Sequence, residues 1–143
     1  TLRRRVETRR MQPGFSISDI ITNEGWRPEP LLLIYHTNFG WPLLDEDTRI
    51  VIPCGLERDE RMGPPEDGAE ETVTPIDAQT DEDGYVTLRV ENARLGMGVS
   101  MKYRKADLPA LGEWRSNASG DYVLGLEPGL CGVEGRAELK KQG

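Results

Sequence analysis

The sequence predicts an all-β chain, an antiparallel β-sandwich or barrel, on three observations. Apolar and polar residues alternate with period two along most of the chain, as half-buried strands require. No segment sustains the 3.6-residue apolar spacing of an amphipathic helix. A hydrophobic share of 36% accompanies 16 Gly and 10 Pro, a composition suited to short strands joined by many turns.

The elements follow in order. Leu2 opens a strand-like segment that carries Arg3, Arg4 and Arg5, with Arg9 and Arg10 beyond it. Between Phe15 and Asn23, Phe15, Ile17 and Ile21 fall on one face and Asp19 interrupts it, before a turn at Asn23, Glu24 and Gly25. The run Leu31 to His36 is continuously apolar, so it reads as a strand covered on both faces. Residues 57–72 are polar, with Pro64, Pro65 and many charges, and read as a long exposed loop with a helical turn over Leu56 to Met62. Tyr85 to Asn92 sets Val86, Leu88 and Val90 against Thr87 and Arg89. Met97, Val99, Met101 and Tyr103 alternate in the same way, and the two segments pair as a hairpin across Asn92 to Gly96. The last strand, Asp121 to Glu127, places Tyr122, Leu124 and Leu126 on one face and Val123, Gly125 and Glu127 on the other. A length of 143 residues fits one domain, residues 1–143.

Charge narrows the partners. With 25 acidic and 18 basic residues the formal charge is −7, which repels a nucleic-acid backbone. The arginine cluster at residues 3–10 reads as the solvated face of a strand. Cys54 and Cys131 form no metal-ligand or disulfide pattern, so no metal and a reducing, cytoplasmic setting are expected. No apolar run reaches the roughly 20 residues that cross a bilayer, so no membrane partner is expected. The first residue is Thr, and the sequence reads as cut from a longer chain.

Two residues stand out chemically. His36 is the single histidine and ends the apolar run, in Tyr35, His36, Thr37, Asn38, Phe39, Gly40, Trp41, Pro42. An imidazole gives or takes a proton near neutrality; a histidine satisfied by a backbone group in the core is the other reading. Glu127 precedes Pro128 and Gly129 and shares a face with Gly125, where a missing side chain would let a ligand approach. Its other reading is the end of a strand at the surface with an ordinary turn after it. Asn38 could hydrogen-bond sugar hydroxyls and Trp41 could stack on a sugar, or both could fix the turn. Arg136 could hold an anionic group or pair with Glu134.

Together these segments resemble the aldose 1-epimerases and galactose mutarotases. That superfamily carries a strand leading into an Asn-His-Thr-Tyr-Phe-Asn type motif and a later strand ending in Leu-Glu-Pro. The counterparts here are Tyr35 to Gly40 and Leu126, Glu127 and Pro128, and the pattern is most similar to an uncharacterised bacterial branch. The resemblance implies an incomplete β-sandwich of the galactose mutarotase-like type, because the family domain is about twice as long. It implies a cofactor-free isomerase acting on a sugar, with Glu127 as base and His36 as acid. A carbohydrate-binding protein on the same scaffold is the alternative. The family's arginine and second histidine have no counterpart assigned in this sequence. An incomplete sandwich would also expose an apolar sheet face, which a second copy in a homodimer could cover.

Overall fold

A computed structural model describes residues 1–55 and 58–132, and the Arg58 side chain is outside that description. Among the described residues there are ten strands and no helix, so no helix is long and apolar enough to cross a membrane. The strands divide between two units, Thr1–Leu31 and Leu32–Gly143.

The first unit is a hairpin of β1 (Leu2–Thr8) and β2 (Phe15–Ile21). Its register sets Leu2 opposite Ile21, Val6 opposite Ile17 and Arg4 opposite Asp19. Asp19 therefore interrupts the apolar face only where a guanidinium answers it: Arg4 Nε and Nη2 donate to its two oxygens at 2.9 and 2.7 Å. The remaining arginines of the cluster are exposed.

The second unit is a sandwich of two antiparallel sheets. One has the order β3 (Thr37–Phe39), β10 (Asp121–Gly129), β9 (Ala110–Ala118), β6 (Thr72–Pro75). The other runs β5 (Arg58–Arg61), β4 (Arg49–Ile52), β7 (Tyr85–Asn92), β8 (Met97–Arg104). Leu111, Leu124, Leu126 and Phe39 from the first sheet join Ile50, Ile52, Val86, Leu88 and Val90 from the second in one buried cluster. The expected hairpin between residues 92 and 96 is present, with Gly96 at a φ of 63° in its turn. The apolar row on β8 is covered only at one end: Tyr103 is buried, whereas Met97 and Val99 are exposed.

Two expectations are corrected. Leu31 to His36 is not a strand buried on both sides; it follows the edge of β10 through one bridge, Ile34 with Gly129. Tyr35 N donates to Pro128 O, but Pro128 has no N–H to return the bond, and the ladder is broken there. The exposed loop is also shorter than residues 57–72. Residues 58–61 form β5, a strand and not a helical turn, and Met62 is in the core. Charge pairs hold this polar strand in place. Arg49 Nε and Nη2 donate to the Asp59 carboxylate at 2.6 Å each, and Arg61 Nη1 pairs with Asp47 at 2.8 Å.

Candidate functional site

β10 is an inner strand of its sheet, and its alternation decides which side chains meet. Leu124 and Leu126 point into the core, so Val123, Gly125 and Glu127 project from the opposite face. Thr37 lies opposite Leu126 and Ile34 opposite Gly129, and in an antiparallel pair the same register places His36 opposite Glu127. Backbone hydrogen bonds link Tyr35 to Pro128 and Leu130 to Leu33, which leaves His36 and Glu127 in the closer, non-hydrogen-bonded kind of pair. Their side chains touch, with His36 Nε2 2.8 Å from Glu127 Oε1.

The two groups differ in exposure. The Glu127 side chain is 6% exposed and that of His36 51%, so a nearly buried carboxylate meets an imidazole open to solvent. Neither alternative reading holds: His36 is not a core histidine, and Glu127 is not a surface residue at a turn. β10 continues through Pro128 to Gly129. On its other side His36 Nδ1 is 2.7 Å from Asn38 Oδ1. The imidazole is thus set between two oxygens.

Small residues make room for this arrangement. Gly125 faces Asn38 on β3 and Trp114 on β9, and Gly112 faces Glu127. A Cβ on Gly125 would lie 2.9 Å from Glu127 Oε1 and 3.2 Å from Trp114 Cε3. The missing side chain thus leaves space for the protein's own carboxylate and indole, not for a ligand. Trp114 meets the His36 ring edge-on, with centroids 5.5 Å apart and planes at 66°. Its Nε1 donates to Glu71 Oε2 at 2.9 Å, which fixes the indole. Beyond Glu127 a cavity of about 510 Å³ is lined by Ile34, Val73, Pro75, Gly112, Glu127 and Cys131, among others.

Of the residues expected at the site, His36, Glu127 and Asn38 come together. Trp41 lies in the turn after β3, 82% exposed and joined to Pro42 by a cis peptide bond; the ring that meets His36 belongs to Trp114. Arg136 lies outside the described residues. Trp114 and Gly112 were not expected to line the site, although their alternation with Leu111 and Glu113 could have placed them on the face of Glu127. Cys54 and Cys131 are half-buried, and neither is in a disulfide. Among the described residues, no group of three or more His, Cys, Asp or Glu side chains is placed to hold a metal ion.

A family model described as a domain of unknown function (DUF4432) matches residues 1–143. No curated protein matches the sequence. The chain is similar to a solved structure described as a "putative aldose 1-epimerase" from Klebsiella pneumoniae, at 27% identity and a TM-score of 0.79. The similarity covers 90% of this chain and 37% of that one, so the chain spans well under half of its neighbour's length.

Proposed function

The chain belongs to the DUF4432 family, and from that premise we propose that it is an aldose 1-epimerase-like protein, with His36 and Glu127 exchanging the anomers of a sugar. The observation that carries this reading is the 2.8 Å contact between His36 Nε2 and Glu127 Oε1. Anomer exchange removes a proton from the anomeric hydroxyl and delivers one to the ring oxygen. Both oxygens hang from the same carbon, so the two protein atoms that serve them have to be close neighbours.

Glu127 takes the hydroxyl proton, and the electron pair of that O–H bond becomes the second bond of a carbonyl. The bond from the anomeric carbon to the ring oxygen breaks, and the ring oxygen accepts a proton from His36 Nε2. Rotation about the adjacent carbon–carbon bond and reversal of both transfers give the other anomer. The near-complete burial of Glu127 limits competition from water for its carboxylate, and the cavity beside it offers room for the sugar. No cofactor enters this chemistry.

The test is exchange NMR on a panel of aldoses, comparing the wild-type chain with Glu127→Gln and His36→Asn. Each substitution is expected to slow anomer exchange by about 100-fold or more, the range in which a positioned acid or base contributes. Rates unchanged in both variants would refute the assignment.

A further inference from the structure

Resting on that reading, we infer that Asn38 is a positioning residue: its side-chain carbonyl accepts the Nδ1 proton of His36 and so reserves Nε2 for the proton exchanged with the substrate. The geometry comes first. Nδ1 is 2.7 Å from Asn38 Oδ1 and Nε2 is 2.8 Å from Glu127 Oε1, so both ring nitrogens face acceptor oxygens. A ring between two acceptors satisfies both only as a double donor. Glu127 Oε1 is buried and has no hydrogen-bond partner among the described residues, so the 2.8 Å approach of Nε2 is the contact that answers it. A neutral ring with its proton on Nδ1 would leave that oxygen unsatisfied, and such burial is costly.

The consequence lies in the second half of the cycle. Once Nε2 has given its proton to the ring oxygen, the neutral ring could hold its remaining proton on either nitrogen. The Asn38 carbonyl keeps it on Nδ1, which leaves the lone pair on Nε2 and directs the returning proton to the atom that lost it. In the same state Glu127 holds the proton from the anomeric hydroxyl. Reclosure then runs through the same two atoms in reverse, and the charges balance: carboxylate and imidazolium before, carboxylic acid and neutral imidazole between.

The sequence spacing makes this arrangement local. His36 and Asn38 are two residues apart on one edge, so their side chains share a face, and Asn38 sits opposite Gly125, where no side chain competes for its position. The Trp114 edge bounds the ring on another side. Asn38 itself is exposed, and its replacement leaves the buried neighbour Phe39 in place.

The lone histidine permits a direct test in the whole chain. With 15N-labelled histidine, wild-type protein should give two slowly exchanging imidazole N–H correlations, one from Nδ1 and one from Nε2. Asn38→Leu should lose the Nδ1 signal and keep the Nε2 signal, with kcat lowered about 10-fold and KM nearly unchanged. Asn38→Asp, which retains an acceptor at the same place, should restore both the signal and the rate. A wild-type spectrum without a protected Nδ1–H, or an Asn38→Leu spectrum that keeps it, would overturn the inference. Because the spectra need no turnover, absent anomer exchange alongside the expected spectra would refute the epimerase reading and leave the positioning of His36 intact.

Discussion

The Glu127 carboxylate occupies the space that a side chain at Gly125 would need: its Oε1 lies 2.9 Å from the Cβ position of the glycine two residues earlier on the same face. The glycine is therefore a condition for the His36–Glu127 contact. Gly125→Ala should leave the strand intact, since the backbone there has no left-handed conformation, but it should displace the carboxylate. The Trp114 Cβ, 3.3 Å from the same point, cannot yield as easily as a side-chain end. We expect a stability loss of about 1–3 kcal/mol in urea denaturation. Anomer exchange should fall by more than that loss of folded protein explains. An alanine variant with wild-type exchange would mean that the carboxylate position is not critical.

Trp114 presents a separable contribution. Trp114→Phe keeps an aromatic edge toward His36 while losing the hydrogen bond to Glu71, and Trp114→Ala removes both. An aromatic pair of this kind contributes about 0.5–1.5 kcal/mol beyond burial. Exchange rates should therefore rank wild type, phenylalanine, alanine, with the alanine variant slower by roughly threefold to tenfold. Equal rates in all three would remove Trp114 from the site.

Burial in the sandwich predicts a contrast within the hairpin of β7 and β8. Leu88 is fully buried between the sheets, whereas Met97 is 52% exposed although it points to the same side. Leu88→Ala should cost about 2–5 kcal/mol. Met97→Ala should stay within about 0.5 kcal/mol, measured by the same urea titration. Similar losses at both positions would show that the uncovered end of β8 is packed in solution.

The difference between these two residues marks what the sequence could and could not convey. Alternation identified β7, β8 and β10, because each sets apolar residues against polar ones. It also put Glu127 on the right face. β9 escaped notice because its inward row is Leu111, Glu113 and Arg115: the core side carries an ion pair of 2.9 Å, and the outward side carries Gly112 and Trp114. β4 has only four residues, too few for a period to show. The pairing of His36 with Glu127 spans 91 positions and depends on register, which no local pattern contains. The two motifs point to both residues, whereas the part assigned to Asn38 depends on its 2.7 Å distance from Nδ1, which no motif contains.

Acid stability should depend on Asp45. Its carboxyl is held down at about 2, first by the hydrogen bond from Arg94 and then by that from Asn92, against an ordinary value of 3.8. Arg94 Nη2 and Asn92 Nδ2 donate to Asp45 Oδ2 at 2.6 and 2.9 Å, while Asn92 Nδ2 and the Thr48 hydroxyl also hold Leu43 O. These bonds tie the turn after β3 to the end of β7, where Asn92 and Thr48 are buried. A folded-state value below the unfolded one means that the unfolded chain binds the proton first on acidification. The stabilisation is therefore complete above about pH 4 and is lost as the pH falls from 3.8 toward about 2. Asp45→Asn should be less stable than wild type at neutral pH, and the gap should close across that window in thermal melts. A gap that stays constant from pH 6 to pH 2 would assign the stabilisation to packing of the turn and not to the charge on Asp45.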